Sequence, residues 1–156
     1  MANAINHNVA KGMWEITLFL TALYEYINEH EHLKARNEDF GGYKKTEEEE
    51  RSFAICFGVK KNIPGAQGDT LEIGIWGYGE MQALEDCYVY ISQIADDPEL
   101  WSRLKEQFND PPHQITVETD EEWSIALDWP HGQDATAEEI EAAAKEISNK
   151  IAVALS

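Results

Sequence analysis

Between residues 52 and 76 the chain alternates apolar with small or polar residues in two successive runs, and this period of two constrains the fold most. Phe53, Ile55, Phe57 and Val59 alternate with Ser52, Ala54, Cys56 and Gly58. After a connection holding Pro64, Gly65 and Gly68, Leu71, Ile73 and Ile75 alternate with Glu72, Gly74 and Trp76. Successive side chains of a strand leave opposite faces, so each run suits a sheet with one buried face. Two such runs with a Gly- and Pro-containing connection predict an antiparallel hairpin. A third run, Cys87 to Ser92, continues the pattern through Val89 and Ile91, with Tyr88 and Tyr90 on its other face. Ile115 and Val117 mark a fourth strand, and Trp123, Ile125, Leu127 and Trp129 a fifth. Asp120-Glu121-Glu122 reads as the hairpin turn between those two.

The period changes to that of a helix in three places. Ile5, Val9, Met13, Ile16, Leu20, Leu23 and Ile27 recur at spacings of three and four, predicting a helix over 5–33. Asp97-Pro98-Glu99 supplies an N-cap, a proline at the first helical position and an acid in the first turn. Leu100, Trp101, Leu104 and Phe108 give that second helix one apolar stripe, and Asp110-Pro111-Pro112 ends it. Pro130-His131-Gly132 breaks the chain before Thr136 and Glu139, which have capping-box spacing. Ile140, Ala144, Ile147, Ile151 and Leu155 form the stripe of the last helix. Residues 34–50 are charged, contain Gly41-Gly42 and lack apolar periodicity, so they read as a mobile connection.

These elements predict an α+β fold in the order αβββαββα. It has a mainly antiparallel five-stranded sheet, with the helices packed mostly on one face. A length of 156 residues, without repeat or long linker, suits a single domain over 1–156. The aromatic content, five Trp, six Tyr and five Phe, separates the chain from disordered acidic tails.

If the apolar set faces the helices, the alternate residues form a second face. That face carries Ala54, Cys56, Gly58, Glu72, Gly74, Trp76, Tyr78, Tyr88, Tyr90, Thr116, Glu118, Ser124, Ala126 and Asp128. It combines small residues on the first strand with aromatics on the next two, acids among them, and no Lys or Arg. Aromatics on an open sheet can stack on bases, but the acids argue against that use. Tyr and Trp as rigid contact area, with acids to steer a basic protein, suit an interface better. The candidate contact residues are Trp76, Tyr78, Tyr88, Tyr90, Glu72, Glu118 and Asp128. Cover by a helix of the same chain, or by a second copy in a homodimer, are the competing expectations.

The charge leads to the same class of partner. Thirty acids against twelve Lys and Arg leave a net charge of −18. Such a chain is repelled by nucleic-acid phosphates and anionic membranes and attracts basic proteins at long range. Solubility alone is the simpler explanation of the same number. No run approaches the ~20 apolar residues of a membrane span, and no signal peptide is visible, so a cytoplasmic location is expected.

No motif for chemistry stands out. Glu25, Glu29 and His32 share a helical spacing that could present metal ligands, with His30 pointing elsewhere, but no His-Glu-x-x-His occurs. The glycines at 74, 77 and 79 lack the strand-to-helix context of a phosphate loop. Cys56 and Cys87 sit in apolar runs and read as small core residues. His113 and His131 lie beside prolines and read as solvated loop residues. Neither catalytic residues, a metal site nor a cofactor is expected. The expected function is a small inhibitor-type binding domain, such as an immunity protein to a nuclease toxin or a phage anti-defence protein mimicking nucleic-acid charge. The alternatives are a small enzyme with a loop-assembled acid/base site and a structural subunit of a homo-oligomer.

Overall fold

The period-two runs pair as the alternation requires. In the computed structural model, residues 7–36, 42–45, 51–65, 68–78, 87–93, 97–110, 116–119, 124–128 and 136–156 are described. The chain order is α1 (His7–Glu29), β1 (Leu33–Arg36), β2 (Gly42–Lys45), β3 (Arg51–Lys61), β4 (Leu71–Tyr78), β5 (Cys87–Gln93), α2 (Pro98–Phe108), β6 (Thr116–Thr119), β7 (Ser124–Asp128) and α3 (Ala137–Ala154). The fold is α+β with an antiparallel sheet and, among the described residues, three helices. The sheet order is β1-β3-β4-β5-β7-β6, with β2 also pairing β3. The β3–β4 hairpin pairs Val59 with Leu71 and Ser52 with Tyr78. Its connection turns through Gly65 and Gly68, both at positive φ (84° and 77°), where a side chain would be strained.

The described residues hold seven strands, so the five-strand count and the order αβββαββα need correction. The two additional strands fall in the stretch expected to be a mobile connection. Leu33 and Ala35 are buried while Lys34 and Arg36 are not, an alternation too short to stand out in sequence. Both strands lie on the same edge of β3. β1 pairs with residues 58–61 and β2 with 51–54. Arg36 pairs with Gly58 and Gly42 with Ala54, even-numbered with even-numbered in both registers. That shared parity keeps even-numbered residues on one face in both strands.

The first helix also ends sooner than expected, at Glu29. Two tight bonds, His30 N–H to Ile27 O and Leu33 N–H to His30 O (each 3.1 Å), turn the chain. Asn28 Oδ1 then accepts the Ala35 N–H at 2.9 Å, tying the helix end to β1. The second and third helices start as their caps predict. Asp97 accepts the Leu100 N–H at 3.1 Å, and Thr136 and Glu139 bond reciprocally at 3.2 and 3.1 Å. Each such cap contributes about 1 kcal/mol.

One apolar cluster joins the helices to the first sheet face. It holds Phe19, Leu20, Leu23 and Ile27 from α1, Leu100, Trp101, Leu104 and Phe108 from α2, and Ile140, Ala144, Ile147 and Ile151 from α3. The sheet adds Leu33, Ala35, Phe57, Val59, Leu71, Ile73 and Ile91, all odd-numbered. Each large side chain fully buried there is worth roughly 1.5–3 kcal/mol. Of the expected first stripe, Ile5 lies outside the described residues, as do the side chains of Val9, Met13 and Ile16.

The last turn of α3 carries no basic residue. Its carbonyls are satisfied from elsewhere. Arg103 donates Nε–H to Ala154 O at 2.8 Å, and His32 Nε2 lies 3.0 Å from Ala152 O. In return Lys150 of α3 donates to Gln107 O near the end of α2 at 3.0 Å. The two helices therefore cap one another's C-termini, where a positive charge is favoured by the helix dipole. No helix among the described residues is long and apolar enough to cross a membrane.

Candidate partner-binding face

With Leu33, Ala35, Phe57, Val59, Leu71, Ile73 and Ile91 committed to the core, strand register puts the even-numbered positions in rows across the other face. One row runs Arg36, Gly58, Glu72, Ser92, Ser124. The next runs Cys56, Gly74, Tyr90, Ala126, Glu118. A third sets Ala54 beside Trp76 and Trp76 beside Tyr88, while Tyr78 pairs with Ser52 and Asp128 with Thr116. The register thus gathers Glu72, Trp76, Tyr88 and Tyr90 on adjoining positions of β4 and β5, with Glu118 beyond Ala126 on the edge strand β6 and Tyr78 and Asp128 at strand ends. The side chains of Trp76, Tyr78, Tyr88, Glu118 and Asp128 lie outside the described residues.

Tyr90 differs from an open contact residue. It is only 6% exposed, yet it stands apart from the main core cluster. Gly74, its partner on β4, has no side chain, and the phenol interacts with the Cys56 thiol on the strand beyond. Its hydroxyl donates to Glu72 Oε1 at 2.7 Å. Burial, and then the hydrogen bond and charge of Glu72, push the phenol well above its ordinary value near 10, so it keeps its proton. What Tyr90 offers the surface is an oriented Glu72 carboxylate, not ring area. Cys56 is a half-buried thiol on this face, in no disulfide, rather than a core residue.

Two charged residues on this face were not legible as part of it. Asp69, in the β3–β4 connection, lays its carboxylate directly over Gly58, where any Cβ would collide with it. Arg36 sits opposite Gly58 on β1, and its Nη1 stands 3.8 Å from Asp69 Oδ1. No hydrogen bond reaches that buried oxygen. A glycine inside a strand was the one available signal for Asp69, since it marks a close approach. For Arg36 the signal was the short alternation with Leu33 and Ala35.

The expectation of a face without cations is therefore corrected. Lys34 and Lys60, opposite one another, share it with Arg36. The charges separate along the sheet. The strands β1, β2 and β3 contain seven of the chain's twelve basic residues and no acid. The strands β4 to β7 contain Glu72, Glu118 and Asp128 and no Lys or Arg.

The other constellations resolve differently. Because α1 ends at Glu29, His32 falls outside it and leaves the spacing with Glu25 and Glu29. His30 does not point away: its ring meets that of His32 edge-on, centroids 5.9 Å apart. Among the described residues no three of His, Cys, Asp and Glu could hold a metal ion. Gly74 and Gly77 are strand positions in β4. Gly79, the 120–122 turn, Glu47–Glu50, Ile115, Trp123, Trp129, His113 and His131 lie outside the described residues, as does the side chain of Cys87. No family model, curated protein or solved structure matches the chain.

Proposed function

We propose that this chain is an inhibitor-type protein-binding domain, a single domain acting in the cytoplasm, whose β4–β7 face engages a basic protein surface. The observation that carries the reading is the Tyr90–Glu72 pair. A buried phenol spends its only donor on fixing one carboxylate, among strands that carry acids and no cations. Fixing a carboxylate before contact reduces the entropy lost when a partner's cation arrives. The acids stand in for phosphates, so the fitting partner is a nucleic-acid-binding surface. An immunity protein to a nuclease toxin and a phage anti-defence inhibitor are the two biological roles of that form. Trp76 and Tyr88, neighbours in register, are the apolar anchor.

The test is capture of partners from host extract on the wild-type chain and on a Trp76→Ala, Tyr88→Ala, Glu72→Gln variant. A basic nucleic-acid-binding protein is retained by the first and lost by the second. Its association rate falls steeply with added salt, because steering by charge is screened within about 10 Å at 0.1 M. The same partners on both baits, or a rate indifferent to salt, would refute the reading.

A further inference from the structure

His30 and His32 stand where three elements meet: the end of α1, the start of β1 and the last turn of α3. The turn that carries them is entered by His30 N–H to Ile27 O and closed by Leu33 N–H to His30 O, each 3.1 Å. The β3–β4 connection pins it from outside. Asn62 donates its backbone N–H to His32 O at 2.8 Å and its Nδ2 to Glu31 O at 3.1 Å. On this held backbone the two rings meet edge-on, centroids 5.9 Å apart and planes at 69°. Both side chains are half-buried, so water and ions reach them.

The His32 ring is oriented by a further contact. Its Nε2 lies 3.0 Å from Ala152 O. A carbonyl only accepts, so Nε2 carries the proton, and in the neutral ring Nδ1 holds the lone pair. A backbone carbonyl holding one ring N–H is the support that metal-ligating histidines ordinarily have. It fixes the tautomer and makes the other nitrogen a better ligand. Capping α3 accounts for this bond but not for the second imidazole beside it. A cap needs one ring, and Arg103 already serves Ala154 O. Two imidazoles on one tetrahedral ion have centroids about 5 Å apart, from metal–nitrogen distances of about 2.0–2.1 Å. The His30 ring closes the gap by less than about 1 Å, with a rotation about its soft χ2. Exposed Glu29 and Glu31 on either side of His30, in a chain of net charge −18, draw cations to the turn.

We infer that His30 and His32 form a two-histidine site for a borderline divalent transition ion. His32 Nδ1 and one nitrogen of His30 are the protein ligands, and water completes the shell. Imidazole donors select Cu²⁺, Ni²⁺ and Zn²⁺ over the oxygen-seeking Mg²⁺ and Ca²⁺. The site uses no residue of the β4–β7 face, so it stands independently of the proposed function.

The probe is Ni²⁺ alone, titrated by calorimetry into the full chain and into His30→Gln, His32→Gln and His113→Gln. Glutamine at 32 can still donate to Ala152 O, and thermal unfolding without metal checks that each variant keeps the fold. Wild type and His113→Gln bind one ion per chain with equal affinity. His30→Gln and His32→Gln each bind on the order of tenfold more weakly, because losing either ring breaks the chelate. The ring proton signals of His30 and His32 broaden first as the paramagnetic ion is added, and excess Mg²⁺ does not compete. Affinity unchanged in His30→Gln, or lowered as much in His113→Gln, would overturn the inference and leave the partner-binding face untouched. If His32→Gln fails to fold, His30→Gln decides the question, since its ring caps no helix.

Discussion

Replacing Gly58 by alanine tests the geometry on which the site depends. Gly58 lies in β3, with two neighbouring strands, and its φ is not positive, so its backbone accepts an L side chain. By propensity alone alanine would be the better residue there, by about 0.5–1 kcal/mol. The structure predicts the opposite sign. The new methyl would occupy the volume of the Asp69 carboxylate, which must move although its Oδ1 is buried. Overpacking of that kind costs about 1–3 kcal/mol. The net expectation for Gly58→Ala is a loss of about 1–2 kcal/mol, the overpacking reduced by the propensity gain. Asp69→Ala alone should stay within about 0.5 kcal/mol of wild type, because its ion pair is long and part-exposed. In the double variant the methyl enters the space the carboxylate leaves, so most of the loss is recovered and the two changes couple by about 1 kcal/mol. Equilibrium urea unfolding of the four proteins measures this directly, with unchanged m-values as the check that one transition is compared. A Gly58→Ala protein as stable as wild type, or strictly additive effects, would show that Asp69 does not lie on the sheet.

Two further outcomes follow from other contacts. Tyr90 is raised far above the ordinary tyrosine value near 10, so the unfolded chain loses that proton first as pH rises. The stability it contributes is complete below pH 10 and declines above it. Tyr90→Phe should flatten the alkaline side of the stability curve, and the tyrosinate absorbance of wild type should show a component, absent from Tyr90→Phe, that appears only on unfolding. Equal alkaline slopes in the two proteins would contradict this. Arg103→Ala removes the donor to Ala154 O and a positive charge at the end of α3, for a loss of about 1–2 kcal/mol by denaturant unfolding. Arg103→Lys should recover part of it, and no loss in Arg103→Ala would mean the cap is replaced by water.

What the sequence disclosed follows the range of the forces involved. Helix starts are local, so Asp97-Pro98 and Thr136 with Glu139 identified theirs within one turn. Alternation over six or more residues, as from Ser52 to Val59 and from Leu71 to Trp76, identified the face on which Phe57, Val59, Leu71 and Ile73 meet the helices. β1 and β2, four residues each, are too short for a period to emerge, and only pairing with the long β3 makes them strands. The contact face was half legible for the same reason. Glu72 and Tyr90 were placed on it by period, but the burial of Tyr90 depends on neighbours across strands. Asp69 reaches the face from a loop, and no periodicity governs a loop.

The charge separation across the sheet changes what the net charge of −18 means. A uniformly acidic surface attracts a basic partner from every side and fixes no orientation. Here Lys34 and Lys60 are directly opposite in register on the same face. Like charges so placed cost stability in a sheet. Their presence at one edge creates a local repulsion toward a basic surface, while Glu72, Glu118 and Asp128 on the remaining strands attract it. An approaching basic partner is then turned toward β4–β7 before contact, and like-charge juxtaposition at β1–β3 penalises the wrong pose. Reversing Lys34 and Lys60 to glutamate would therefore speed encounter with any polycation, because total attraction rises. It would not raise affinity for the true partner in proportion, because poses centred on the wrong edge become competitive. A gain in affinity equal to the gain in association rate would mean that the cationic edge only weakens attraction and has no part in orienting the complex.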